Sequence, residues 1–182
     1  MSQYRRNLVA GGAYFFTVVT ADRRPILTTP VGRACLRYAI HTVRKKHPFT
    51  VFSCTLLPDH LHAVWFLPAD DARYPLRWRR IKEVFTRTFL SSGGQEAVVS
   101  ARRAARHERG VWQRRYWEHT IRDDDDLRRC VDYCHWNPVK HGHVSTPRDW
   151  PWSTYHRFVA SGDYEERWGQ HDPAPGFEYA GE

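Results

Sequence analysis

Two apolar, β-branched runs, residues 49–57 (FTVFSCTLL) and 61–67 (LHAVWFL), are separated only by Pro58, Asp59 and His60. The Pro58–Asp59 pair reads as a tight turn, and a connection this short joins antiparallel neighbours. A further aromatic and β-branched run, residues 13–20 (AYFFTVVT), predicts a strand ahead of them. Residues 33–46 between these strands carry apolar side chains at Ala34, Leu36, Tyr38, Ala39, Ile40 and Val43, and His47–Pro48 closes that helix. Residues 76–90 place Trp78, Ile81, Val84, Phe85 and Phe89 at three-and-four spacing, a second helix. Residues 117–122 read as a fourth strand, 126–137 as a third helix and 153–160 as a shorter one. Strand, helix, strand, strand, helix, strand, helix is the order of a ferredoxin-like α+β sandwich: an antiparallel sheet with helices packed on it and an extra C-terminal helix. One domain over residues 1–160 is expected. Within it, 91–110, with Arg102, Arg103, Arg106 and Arg109, forms a basic insertion or loop, and 161–182 follows as a loose tail.

The chain carries 28 Lys+Arg against 20 Asp+Glu, a formal charge of +8, with eight tryptophans and nine tyrosines among its 182 residues. Guanidinium groups bind phosphates bidentately and aromatic rings stack on unpaired bases, so the composition fits nucleic-acid binding. No run of about 18 apolar residues is present, which argues against a membrane-spanning helix. The first residues lack the apolar core and cleavage site of a secretory signal. Cys35, Cys54, Cys130 and Cys134 have no CxxC spacing and read as free thiols of a reducing compartment, not as a zinc site.

His60 and His62 flank Leu61 at the start of an apolar strand. Strand side chains alternate, so both imidazoles project from one face, where they can share a divalent cation. In the segment DLRRCVDYCHWNPVKHG (126–142), Leu127, Cys130, Val131 and Cys134 form a stripe facing the sheet. At about 100° per residue, Tyr133 lies about 60° and Asn137 about 20° from Cys130. They sit one turn apart at the margin of the buried stripe, and Pro138 is expected to stop the helix after them. Taken singly, Tyr133 could be a core-edge aromatic and Asn137 a cap. Together with two imidazoles and a basic, aromatic surface, they are the parts of a phosphodiester-cleaving site. A tyrosine hydroxyl titrates near ~10 and is a poor nucleophile unaided, whereas a cation on the scissile phosphate stabilises the developing charge. Attack expels a 3′-oxygen and leaves a 5′-phosphotyrosine, an ester that a second 3′-OH can reclaim without ATP.

These segments carry a resemblance. LLPDHLHAVWFLP resembles the HUH motif (His, bulky hydrophobe, His) of single-tyrosine transposases, and DYCHWNPVKHG resembles the tyrosine helix of the REP-associated tyrosine transposases. YRRNLVAGGAYFFTV, WQRRYWEHTIRDD and DWPWSTYHRFV match in the same order, so the likeness runs from Tyr4 to about Trp168. It implies Tyr133 as nucleophile and His60, His62 and Asn137 as ligands of Mg²⁺ or Mn²⁺. It also implies a substrate of repeated extragenic palindrome (REP) DNA folded as a single-stranded hairpin. The resemblance further implies a monomer, and a cytoplasmic, nucleoid-associated location is expected. Arg5, Arg6, Arg102, Arg103, Arg114, Arg115 and Lys140 are the candidate DNA-binding cations. Two imidazoles favour Mn²⁺ or Zn²⁺ by ligand type, so Mg²⁺ should bind well only when a DNA phosphate completes its shell. Two other readings compete: a hairpin-binding module that does not cut, and a zinc hydrolase using His60, His62 and a third histidine such as His119.

Overall fold

In the computed structural model, which describes residues 6–106 and 108–169, four strands and five α-helices follow one another. They are β1 (Ala13–Val19), α1 (Pro30–Lys46), β2 (Thr50–Leu56), β3 (His60–Phe66), α2 (Tyr74–Ser91), α3 (Ala101–Ala104), β4 (Trp117–Thr120), α4 (Asp124–Lys140) and α5 (Tyr155–Ser161). The sheet order is β2-β3-β1-β4 with every pair antiparallel, the ferredoxin-like arrangement expected from the sequence. β3 is therefore interior, flanked by β1 and β2, and β4 is an edge.

Both faces of the sheet are covered, and the two-residue alternation decides what each side chain meets. Tyr14, Phe16, Val18, Leu61, Ala63 and Trp65 point into a core closed by α1 and α2, where the Trp65 and Trp78 rings stack at 4.1 Å. Phe15 and Val64 point the other way, into a smaller core with Cys130, Val131, Tyr133 and Cys134 of α4 and Phe158 of α5. His60 and His62 share the parity of Val64, so they lie under α4.

Two local features differ from the sequence reading. Pro138 does not stop α4, which runs on to Lys140. Proline forfeits the bond from its own nitrogen and crowds the carbonyl four residues back, a local cost that does not by itself end the helix. The helix ends where Gly142, at φ 68°, turns left-handed. There the Gly142 amide donates to the Val139 carbonyl (2.9 Å) and the His143 amide to the Pro138 carbonyl (2.9 Å). That double bond around a left-handed glycine is the Schellman termination. The second feature is the segment after α5. Tyr164 donates to Asp132 at 2.7 Å, lies 3.0 Å from His135 Nδ1, and stacks on Trp168 at 4.2 Å. Residues 161–169 are thus anchored on α4; the rest of the expected tail, 170–182, lies outside the described residues.

Segments 92–106 and 108–110, which include the single turn α3, are drawn together by the Ala97 amide on the Gly110 carbonyl (2.7 Å) and by the Arg109–Glu96 ion pair (2.6 Å). Across the sheet, Arg77 is buried and forks onto Asp71, 3.0 Å to Oδ1 and 3.1 Å to Oδ2, while also donating to the Pro48 carbonyl at 2.7 Å. Hydrogen bonds from Arg77 and Arg73 hold the Asp71 carboxyl well below the usual carboxylate range. Because that value is depressed in the fold, the pair stabilises fully at neutral pH and the contribution is lost as pH falls below about 3.9, the unfolded value. Asp71→Ala strands a buried guanidinium and should lower the unfolding free energy by about 3–5 kcal/mol in denaturant titration. The Asp71→Ala/Arg77→Met double variant should recover much of the loss; equal losses in both would contradict this account.

Candidate active site

His60 and His62 come from the first turn-side residues of β3, and neighbouring elements fix both rings. Asp59, in the β2–β3 turn, lies 2.6 Å from His60 Nδ1 and also takes Arg23 at 3.0 Å. Burial works against its charge, but the bonds and charges of His60 and Arg23 outweigh it and hold the Asp59 carboxyl down at about 2. An ionised carboxylate on Nδ1 leaves Nε2 as the ring nitrogen available to a ligand. His62 is held in the same way by Thr17 of β1, its direct cross-strand partner, with Oγ1 3.0 Å from Nδ1. The two rings are 5.0 Å apart, and both are buried.

α4 and its C-cap residue His141 lay three residues at four-residue intervals over this pair. Asp123 caps the helix by accepting from the Asp126 amide at 2.8 Å, and Asp124 to Asp126 supply negative charge to its first turn. Tyr133 is buried with its ring 5.4 Å from His62 and 5.8 Å from Phe15. Two turns on, the His141 ring lies 5.0 Å from His60. Asn137 falls midway between them on the same helix face, fully buried, so it confronts the histidine pair. Its amide nitrogen donates to the Tyr133 carbonyl at 3.3 Å. Its Oδ1 and the Nε2 of His60 are buried without a hydrogen-bond partner. Buried polar atoms are nearly always satisfied, so these two mark a place for something further. A nitrogen and an oxygen donor of this kind suit a divalent cation.

The Tyr133 hydroxyl accepts from Lys140 Nζ at 2.9 Å. Sequence reasoning put Lys140 among the DNA-binding cations; the structure brings it to the tyrosine oxygen. It arrives there because α4 continues through Pro138, which keeps Lys140 two turns from Tyr133 on the same face. The remaining cations scatter. Arg6 sits 4.6 Å above the Tyr116 ring, Arg103 and Arg114 pair with Glu108 (3.3 and 3.7 Å), Arg102 and Arg115 are exposed, and Arg5 lies outside the described residues.

His119, the third ligand of the zinc-hydrolase reading, is held elsewhere. Its Nε2 is 2.8 Å from Asp126 Oδ2, forming with Cys130 a cluster whose donor atoms lie within 4.8 Å. Arg122 and Arg129 also reach Asp126, at 3.2 and 3.7 Å. Two guanidinium groups on the only carboxylate oppose a cation there, and the cluster serves the N-terminal end of α4. All four cysteines are free thiols. No helix among the described residues is long and apolar enough to cross a membrane.

Sequence reasoning missed Asp59, Thr17 and His141, and it placed Lys140 on the DNA surface and not at the Tyr133 oxygen. Asp59 had a signal, its position beside His60. Thr17 had none, because only the β1–β3 register places it opposite His62.

Comparison with known proteins gives a consistent picture. No protein-family model matches the chain. A REP-associated tyrosine transposase of Escherichia coli is 42% identical over 168 residues, covering 92% of this chain and 91% of its own length. A Haemophilus influenzae protein assigned to the same family is 42% identical over 170 residues, covering 93% and 94%. Among solved structures, a REP-associated tyrosine transposase bound to a REP hairpin superposes with a TM-score of 0.76 at 39% identity, covering 98% of this chain and 99% of its own.

Proposed function

The chain belongs to the REP-associated tyrosine transposases, enzymes of the HUH type, and from that premise we propose that it cuts and rejoins single-stranded REP-type hairpin DNA through a covalent 5′-phosphotyrosine on Tyr133. The observation that carries this reading is the Tyr133 oxygen, 2.9 Å from the Lys140 ammonium on a ring 5.4 Å from His62. The hydroxyl attacks phosphorus, a bond forms between Tyr133 Oη and phosphorus, and the bond to the 3′-oxygen breaks. The tyrosine gives up its proton, and the leaving 3′-oxygen takes one to become a 3′-OH. Lys140 donates to the tyrosine oxygen and so stabilises its negative charge as the bond forms and again when it is displaced. Rejoining reverses the roles: another 3′-OH attacks and the tyrosine leaves.

His60, His62 and Asn137 are the residues that would hold Mg²⁺ or Mn²⁺. When bound, such a cation supplies Lewis-acid stabilisation of the phosphate and orients it. Asp59 and Thr17 keep the two imidazoles in the ligating tautomer. The histidines and the tyrosine of one chain already touch, so a monomer contains the whole site. A DNA substrate fits a protein that works at the nucleoid.

A hairpin incubated with the protein and a divalent cation should yield a protein–DNA adduct that survives denaturation. Binding without an adduct would favour the non-cutting module, and free hydrolysis products without an adduct would favour water as nucleophile.

A further inference from the structure

Two elements bring donor atoms to the Tyr133 site, each in a short repeat. β3 offers His60 and His62, two residues apart on one strand face, with their rings 5.0 Å apart. α4 offers Asn137, and the next residue on that helix face, four further on at the C-cap, is His141. The His141 amide donates to the Asn137 carbonyl at 3.0 Å, which keeps the two in one helical turn, and Gly142 at φ 68° turns the chain away directly after. The His141 ring thereby rests 5.0 Å from that of His60, the same separation as His60 from His62. Its two neighbours, His60 and Asn137, each bury a donor atom, Nε2 and Oδ1, that has no hydrogen-bond partner. His143, two residues on, stacks instead on Trp150 at 5.2 Å.

We infer that His141 is a fourth protein ligand of the cation assigned to His60, His62 and Asn137, and the inference rests on that assignment. Two donors four residues apart on one helix face converge on a single ion, the spacing by which paired histidines on a helix bind zinc. Two donors two apart on a strand face converge likewise. Imidazoles that bind one ion through nitrogens at about 2.0–2.1 Å stand about 4.5–5.2 Å apart, centroid to centroid, at right-angled to tetrahedral spacing. Both ring pairs fall in that range. His60 and Asn137 are buried whereas His141 is exposed, so His141 closes the outer side of the site. Four protein donors still leave positions of a six-coordinate ion open to a phosphate oxygen. Lys140 lies between Asn137 and His141 in the chain, so ligation by both fixes the turn that carries its ammonium to the Tyr133 oxygen.

The test follows Mn²⁺ alone on the full chain, without DNA, so that activity does not enter the readout. Wild type should bind the ion at one site, with pulsed EPR resolving nitrogen couplings from three imidazoles. His141→Ala should weaken Mn²⁺ binding at least about tenfold, since partners that merely orient a ligating histidine are already worth about 10–100-fold, and should leave couplings from two. His141 is exposed, so the melting temperature of the metal-free variant should stay at the wild-type value, while the rise given by added Mn²⁺ shrinks. His143→Ala should keep both the affinity and the three couplings. Unchanged affinity with three couplings in His141→Ala overturns the inference and leaves the other three ligands in place. Weaker affinity with three couplings also overturns it, since His141 then only packs against His60. Equal losses in His143→Ala overturn it in favour of a diffuse effect of neighbouring imidazoles. Wild type that binds no Mn²⁺, or binding that His60→Ala leaves intact, overturns the cation assignment and this inference with it.

Discussion

Tyr133→Phe should eliminate covalent capture of hairpin DNA and lower cleavage on the order of 10³-fold or more, the scale of removing a covalent nucleophile. The substitution deletes one oxygen and keeps the ring that packs on His62 and Phe15. What the fold loses is the bond with Lys140, about 1 kcal/mol. Hairpin affinity and melting temperature should therefore stay near wild type. That separation is what makes the variant informative, because a merely structural tyrosine would affect stability and leave chemistry in place. Retained cleavage above a few per cent of wild type, measured by single-turnover gel assay, would remove Tyr133 from the mechanism.

The second large effect concerns the cation. EDTA should stop cleavage by the wild-type protein, and Mn²⁺ or Mg²⁺ should restore it. His60→Ala or His62→Ala should abolish the cation-dependent reaction, since even the partners that orient a ligating histidine are worth about 10–100-fold in metal affinity. Asn137→Ala should be milder, because water can replace an amide oxygen. Mn²⁺ binding, followed by its paramagnetic signal, should weaken in the same order without reference to activity. Cleavage that proceeds unchanged in EDTA would show that the orphaned His60 nitrogen and Asn137 oxygen serve some other purpose.

How much of this is legible in the sequence differs by feature. The sheet is, because period-two runs and the Pro58–Asp59 turn leave little choice of element order, and β3 begins within one residue of its predicted start. The facing of His60 and His62 follows from the same alternation. The approach of Tyr133 and Asn137 follows from helical periodicity against the buried stripe. The C-terminal end of α4 is not legible, because a local rule about proline competes with a termination motif at Gly142 whose bonds only the structure reveals. That single difference hides the role of Lys140. His119 is equally opaque: nothing in its spacing says that it turns to Asp126 and leaves the pair on β3 to Asn137 and His141. The packing of Tyr164 and Trp168 on α4 is hidden in a segment whose later prolines and glycines read as loose chain.

The central claim is that Tyr133 attacks phosphorus and expels the 3′-oxygen, and the polarity of the covalent product tests it most directly. If that is the chemistry, the protein becomes attached to the 5′ end of the downstream fragment, and the upstream fragment ends in a free 3′-OH. Two preparations of one REP-type hairpin, labelled upstream and downstream of the cut, are incubated with protein and Mn²⁺ and run on a denaturing gel. The account predicts a protein-sized labelled band from the downstream label only, a short free oligonucleotide from the upstream label, and little product from duplex of the same sequence. A covalent band from the upstream label would reverse the leaving group and contradict it, as would equal cutting of the duplex or complete cutting with no covalent band at all.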